Sequence, residues 1–417
     1  MEVYKFGGAS VHNANNIRQL AKIVSSAPRP LVVVISAMGK TTNALERIVD
    51  SYFFHNSDWL EELDKLRHYH YSIARELFEY GHGIFHILDS LFSRLKKQLH
   101  SQPSMNYDYD YDRIVHFGEL LSTTIISHYL NDIGIKNIWI DALSVIKTDS
   151  NYRQANIDWD ATKQLIQEKI NFHGTDLYIT QGFIASDHNS QPVTLGREGS
   201  DFSAAIFAWA LDADRMTVWK DVDGIYSADP RYYPGARRFD RLSYRETIEL
   251  AYYGAKVIHP KTLKPLKDKS IPLHVRSFLF PDKEGTIITD FAQDLEPRMP
   301  VVIVKEQQTL ISVSHLDGSF ITEPDMELIF SLINRHKINN NVMQRSALSL
   351  SFCVDYHRVH LPSLIEALKR HFLVKYNTDL RLITIRHYDN ETIKKMTAGK
   401  EVLLHQQSRS NAYFVVR

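Results

Sequence analysis

Lys5-Phe6-Gly7-Gly8-Ala9-Ser10 puts a cation, two glycines and a hydroxyl into one short segment near the start of the chain. Glycines let backbone N–H groups approach a phosphate closely, and Lys5 supplies a mobile point charge. Far downstream, Thr194-Leu195-Gly196-Arg197-Glu198-Gly199-Ser200-Asp201 reads as a tight loop entering a helix. Ser200 or Asp201 is placed to cap that helix, in which Phe202, Ile206, Trp209 and Ala210 keep helical spacing. Such a helix N-terminus suits an anion. A third cluster runs from Lys220-Asp221-Val222-Asp223-Gly224-Ile225-Tyr226 to Asp229-Pro230-Arg231, directly after the strand pattern Met216 to Trp219. Its charges emerge at the C-terminal end of a strand, where open α/β sheets bind ligands. One loop can hold a substrate carboxylate while the other holds a nucleotide.

These groups need elements to aim them. Val3 to Phe6 reads as a buried strand, Gly7-Gly8 as a turn, and Asn13 or Asn15 as the cap of a helix with Ile17, Leu20, Ala21 and Val24 on one face. Leu31 to Ile35 is a second apolar run of parallel-strand type. Residues from about Glu46 to Lys97 keep helical spacing with almost no Gly or Pro and read as a helical insertion. The run Asn106 to Asp112, alternating Tyr and Asp, reads as a surface turn. Phe117-Gly118-Glu119 begins a helix, Asn137 to Ile140 a strand, and Asp176 to Ala185 a buried strand ending in Gln181-Gly182-Phe183-Ile184. Ser243-Tyr244-Arg245-Glu246 has capping-box spacing and starts a helix to Tyr253, which Gly254 ends. Ile271 to Phe278 reads as the last strand of this region. Strands alternating with helices predict an α/β fold, a mainly parallel sheet sandwiched by helices.

Composition narrows the function classes. The 417 residues exceed one ordinary core and imply two or three domains. Lys and Arg number 49, and so do Asp and Glu, giving no electrostatic footprint for nucleic acid or an anionic membrane. Cys353 is the one cysteine, so disulfides within the chain are impossible and the residue reads as a small buried hydrophobe. No apolar run approaches the roughly 20 residues that span a bilayer, and the N-terminus lacks the pattern of a signal peptide. A cytoplasmic protein acting on small molecules is the expectation. Gly39-Lys40-Thr41-Thr42-Asn43 lacks the earlier glycine of a P-loop and is not read as one. His82 and His86 stand at i, i+4 without an acidic partner in a zinc motif, so no metal site is assigned.

The motifs together resemble a known family. Lys5 to Ser10, Ser36 to Asn43, Phe117 to Ser122, Thr194 to Asp201 with Lys220 to Arg231, and Gly254-Ala255-Lys256-Val257-Ile258-His259-Pro260 follow the order found in aspartate kinases of the amino acid kinase superfamily. The resemblance implies transfer of the ATP γ-phosphoryl group to the β-carboxylate of L-aspartate, the first step of lysine, threonine and methionine biosynthesis, with Mg²⁺ on the nucleotide. It implies Lys5 and Asp201 as catalytic groups and Thr42, Glu119, Phe183, Arg197 and Ser200 around the amino acid. It implies Gly7, Gly8, Ser10, Lys220, Asp221, Tyr226, Arg231, Lys256 and Val257 around ATP. Two residues depart from the family's pattern: Glu198 stands at a usual glycine, and Lys220 at a more usual threonine. The alternatives are another amino acid kinase, such as a glutamate or carbamate-type kinase, or a non-catalytic amino-acid sensor.

Beyond about residue 295 the pattern changes. Thr309 to His315, Asp325 to His336, Ile338 to Gln344, Ala347 to Val354, Leu361 to Phe372 and Leu373 to Asn377 read β-α-β-β-α-β, a ferredoxin-like unit. A shorter unit follows from Leu380 to Arg417. The organisation expected is a catalytic domain over 1–292 and a regulatory region over 300–417, its two units at about 306–379 and 380–417, the latter with a strand from 301–305. This region resembles paired ACT domains, which implies an amino-acid effector and a homodimer joined through these units. In lysine-inhibited relatives an acidic residue meets the effector's ammonium at the position aligned with Asn341, so weak or absent lysine inhibition is expected, with threonine or no effector as alternatives.

Overall fold

The computed structural model describes the chain except for residues 56–57, 197, 256–257, 291–298 and 359. The contacts divide it into two units, the first made of Met1–Ile225, Phe239–Ile248 and Val257–Gln293, the second of Tyr226–Arg238, Glu249–Lys256 and Asp294–Arg417. The division therefore does not fall at one point near 292–300, because two short segments between 226 and 256 pack with the C-terminal part.

Glu2–Phe6 lies inside the eight-stranded sheet of the first unit, hydrogen-bonded to Leu31–Ile35 on one side and Arg215–Lys220 on the other. All three strands run parallel, and the two apolar runs are buried on both faces. From Leu31–Ile35 the sheet continues to Leu177–Gln181 and Ile138–Ile140, and from Arg215–Lys220 to Leu273–Ser277, Thr286–Thr289 and Arg241–Ser243. Successive crossovers thus leave Glu2–Phe6 in opposite directions. Its C-terminal end is a topological switch point, where loops part and leave a crevice.

The helix Ala14–Ser25 is capped by Asn13, whose side chain accepts from the Asn16 N–H, and buries Ile17, Leu20, Ala21 and Val24. The expected helical insertion consists of Thr41–Phe54, Trp59–Leu77 and Ile84–Leu99. Gly199–Ala210 is apolar and buried almost all round, as a core helix must be.

Three expectations fail here. Asp176 to Ala185 is not one strand: Leu177–Gln181 and Ile184–Asp187 join different sheets, and Phe183 between them takes a left-handed φ of 68°. Leu273–Ser277 is not the last strand, because Thr286–Thr289 returns antiparallel beside it. The Tyr/Asp run is not a surface turn. It is the helix Tyr107–Val115, capped by Asn106, with Asp110, Tyr111 and Asp112 buried. Alternation in the letters hid a 3.6-residue face that turns these side chains inward.

In the second unit six antiparallel strands form one sheet, in the order Asn340–Arg345, Ser349–Asp355, Val301–Ser314, Leu373–Arg386, Asn411–Val416, Val402–Gln407. The order of elements is the expected ferredoxin-like β-α-β-β-α-β, with helices Glu323–Arg335 and His360–Lys369 packed on Ile311, Val313, Leu350 and Phe352. The two ferredoxin-like halves share the long strands Val301–Ser314 and Leu373–Arg386. The expected break near 306 and 380 shows as irregular pairing within them, not as a linker. In the second half, Asn390–Thr397 is the helix, and Ala228, Tyr233 and Ala236 join it over Val302, Ile383 and Phe414.

Asp112 shows how the first unit uses a buried carboxylate. Its Oδ2 accepts from the backbone N–H groups of Thr194 and Arg153, both at 2.9 Å, and its Oδ1 from the Thr194 hydroxyl at 2.6 Å. Burial pushes its carboxyl up from 3.8 to about 6, even though these hydrogen bonds act the other way. The native state therefore holds the proton more tightly than the unfolded chain, so stability present near pH 4 declines as pH rises through about 6, by about 3 kcal/mol in total. Asn in its place can accept both N–H groups with its oxygen and donate to the Thr194 hydroxyl with its nitrogen. Asp112→Asn should melt above the wild type at pH 8, and the gap should close by pH 4; a gap that does not change with pH refutes the assignment.

Candidate active site

Lys5 occupies the penultimate position of the central strand, so its side chain leaves the sheet beside the switch point. It is 8% exposed, and its Nζ lies 2.6 Å from Oδ1 of Asp201, itself 3% exposed. Lys220, the last residue of the adjacent strand, approaches the other oxygen, with Nζ 3.7 Å from Oδ2. Burial alone would raise the Asp201 carboxyl, but the Lys5 and Lys220 ammoniums outweigh it and hold the group below the usual carboxylate range. Asp201 is thus an ionised strut between two cations.

The glycine loop lies against the loop after the second strand. The Gly39 N–H donates to the Gly8 carbonyl at 3.0 Å, and a Cβ on Gly8 would stand 2.7 Å from the Ala37 carbonyl oxygen. Ser10 is buried in the short helical turn Gly8–Val11 that follows Gly7. Thr42, half-buried, lies in the first turn of Thr41–Phe54.

Glu119 projects from the helix Phe117–Asp132 and is 2% exposed. Its Oε1 accepts from the Ala37 N–H at 3.3 Å, while the buried Oε2 has no hydrogen-bond partner among the described residues. Burial pushes its carboxyl up to about 8, despite that hydrogen bond and the nearby Lys5 charge. A buried carboxyl oxygen without a donor among the described residues is costly, and a donor reaching Oε2 would offset that cost.

Close backbone packing sets the loop over residues 194–201. A Cβ on Gly182 would fall 2.5 Å from the Ser200 Cβ, and one on Gly199 would fall 2.8 Å from the Phe183 ring. The Phe183 N–H donates to the Ser203 hydroxyl at 2.9 Å, and its carbonyl accepts from the Leu195 N–H at 2.9 Å. Neither Ser200 nor Asp201 is the cap. The helix starts at Gly199, both residues lie in its first turn, and Glu198 takes the N-cap position at φ 54° without a side-chain capping bond. This left-handed backbone accounts for the glycine usual there, which Glu198 must replace at some strain. Arg197, Lys256 and Val257 lie outside the described residues.

Lys5, Gly7, Gly8, Ser10, Thr42, Glu119, Phe183, Ser200, Asp201, Lys220 and the exposed Asp221 all fall in the first unit. Tyr226 and Arg231 fall in the second, where the Arg231 guanidinium forks onto Asp229, its Nε 3.1 and 3.0 Å from the two carboxylate oxygens. Asp112, which fixes Thr194 at the start of the loop over residues 194–201, escaped sequence reasoning. A helical count through Tyr111, Ile114 and Val115 was the signal that could have found it.

The amino acid kinase family model matches residues 1–277. The chain is 30% identical over 420 residues to lysine-sensitive aspartokinase 3 of Escherichia coli K12, a match covering 96% of this chain and 89% of that protein. It is 33% identical over 366 residues to chloroplastic aspartokinase 3 of Arabidopsis thaliana, covering 85% of this chain and 64% of that protein. The crystal structure of E. coli aspartokinase III in complex with aspartate and ADP superposes with a TM-score of 0.86 at 28% identity, covering 100% of this chain and 96% of that one. A second structure of that enzyme, in complex with lysine and aspartate, gives 0.80 at 27% identity, with the same coverage. Family match, near full-length sequence similarity and the superposition agree: the chain belongs to the amino acid kinase family, among its aspartokinases.

Proposed function

We propose that this chain transfers the γ-phosphoryl group of ATP to the β-carboxylate of L-aspartate, in the cytoplasm, as an early step of amino-acid biosynthesis. The observation that carries the reading is the buried Lys5–Asp201–Lys220 cluster at the sheet's switch point, near enough to Glu119 for the Lys5 charge to act on it. A β-carboxylate is ionised at neutral pH, so the reaction needs no general base. One of its oxygens bonds to the γ-phosphorus, the bond from that phosphorus to the bridging oxygen breaks, and ADP leaves with the electron pair.

The obstacle is charge. Two like unit charges about 4 Å apart repel by about 4 kcal/mol at an effective dielectric of 20. Lys5 and Lys220 offset this at the transferring phosphoryl oxygens, while Asp201 orients their ammoniums and takes no proton. Glu119 receives the substrate's ammonium, Arg197 forks onto its α-carboxylate, and Thr42, Phe183 and Ser200 enclose it. Gly7, Gly8 and Ser10 take the phosphates and Asp221 the rest of the nucleotide, a role that the family resemblance gives to Tyr226, Arg231, Lys256 and Val257 as well. Mg²⁺, when bound, neutralises triphosphate charge. Asp201 is committed to two lysines, and Mg²⁺ on a triphosphate would draw its ligands mainly from phosphate oxygens and water.

Regulation and assembly belong to the second unit. Among the described residues, 373–377 pair with Val301–Ser314 on one side only, and Leu373 and Tyr376 there are 41% and 47% exposed. A strand edge open in this way, with two large side chains exposed on it, favours a second copy, so we infer a homodimer through the ACT-like units.

ADP release coupled to a readout enzyme, with L-aspartate and then L-glutamate as acceptor, tests the activity: turnover with aspartate is expected, and turnover with glutamate alone overturns the reading. Lys5→Met should lose at least a hundredfold in kcat, about 2.7 kcal/mol, with ATP binding largely intact; retention of a tenth of the rate refutes its role. Glu119 must be ionised to receive an ammonium, so kcat/KM for aspartate should rise with pH, pass half its plateau at about pH 8 and level off only above that. That rise should vanish in Glu119→Gln. Light scattering should give a mass twice the 48.3 kDa of one chain, and a stable monomer would refute the dimer.

A further inference from the structure

Two strand irregularities in the second unit converge on one polar cluster. In Val301–Ser314 the pairing register shifts between Lys305 and Gln308, where Gln307 adopts φ 54°. In Asn340–Arg345 it shifts between Asn340 and Val342, at Asn341. Alternation along a regular strand would send Lys305 and Gln308 to opposite faces, and a bulge re-aims them to one side. Both reach Asn341. The Lys305 ammonium donates to the Asn341 Oδ1 at 2.8 Å, and the Asn341 amide donates to the Gln308 Oε1 at 2.8 Å and to the Asp355 Oδ1 at 2.9 Å. The Gln308 amide donates to that same carboxylate oxygen at 2.9 Å. Gln308 is 1% exposed, and the Cys353 thiol behind it is fully buried.

The stem of Lys305 is held as firmly as its head. A Cβ added to Gly254 would fall 2.3 Å from the lysine Cε and 3.1 Å from its Cγ, so the aliphatic chain lies on the bare Cα of a residue at φ 102°. Gly254 follows the helix Tyr244–Tyr252, and both it and Lys305 belong to the second unit.

We propose that Asn341, Gln308 and Asp355 form a site for a primary ammonium and that the chain fills it with its own Lys305. Asn341 relays the charge, its carbonyl taking the ammonium while its amide polarises toward Asp355. The site is closed to the ammonium of a free amino acid unless Lys305 leaves, and occupancy by Lys305 pins the end of the Tyr244–Tyr252 helix. The inference rests on the proposed function only in treating the second unit as regulatory, and its test needs no turnover.

In Lys305→Ala the lost atoms, Cγ to Nζ, are those of n-propylammonium, which is therefore the probe. The full-length variant should melt below the wild type, and n-propylammonium should restore about 2–4 °C and bind in calorimetry, while n-propanol does neither. The wild type should respond neither to the probe nor to L-lysine, and Asn341→Ala added to Lys305→Ala should abolish the rescue. A folded Lys305→Ala without rescue, equal rescue by n-propanol, or Asn341-dependent binding of L-lysine to the wild type overturns the proposal. If Lys305→Ala does not fold, Lys305→Met keeps the stem on Gly254 and removes the charge. Its melting point should then fall, with the fall absent in an Asn341→Leu background; a Met variant as stable as the wild type overturns the proposal.

Discussion

A lysine ammonium buried at the end of a central strand must have a carboxylate against it, and the packing of the first unit follows from that requirement. Lys5 is fixed by the sheet, so Asp201 must be brought to within 2.6 Å on a helix that is itself core. Buried charges without partners cost several kcal/mol, and a buried pair is weak evidence for stability. Under the function proposed above the arrangement is preorganisation: two cations are held at a fixed place for the charge of the triphosphate.

Bringing a helix that close to a sheet leaves no room for side chains in between. Gly182 and Gly199 supply the room, since a Cβ on either would meet Ser200 or Phe183 well inside contact distance. Phe183 and Glu198 carry the conformational cost in left-handed backbone. Strain of this kind persists where the surroundings over-determine it, and here Asp112 holds Thr194 while Ser203 holds Phe183.

The central strands, the helix after the glycine loop, the helical insertion and the β-α-β-β-α-β order could be read from the sequence because each is written in local periodicity. Lys5, Asp201 and Glu119 were legible through their motifs, but what makes them a site was not. The Lys5–Asp201 pair joins residues 196 apart in sequence, and the unsatisfied oxygen of Glu119 depends on what fails to reach it. Asp112 was missed because alternating Tyr and Asp mimic a polar turn when the third dimension is missing. The bulges at Lys305 and Asn341 were likewise invisible, since a register shift belongs to a pair of strands and to neither alone.

The chain passes from the first unit to the second after Ile225, returns after Arg238 and leaves again after Ile248. Ala228 and Tyr233, on the first excursion, complete the apolar layer over Ile383 and Phe414, and Tyr253, on the second, bonds through its hydroxyl to Tyr413 and Asn411. A C-terminal fragment begun at residue 294 would therefore lack Ala228, Tyr233 and Tyr253, and with them part of its own apolar layer and the hydroxyl that Tyr413 and Asn411 reach.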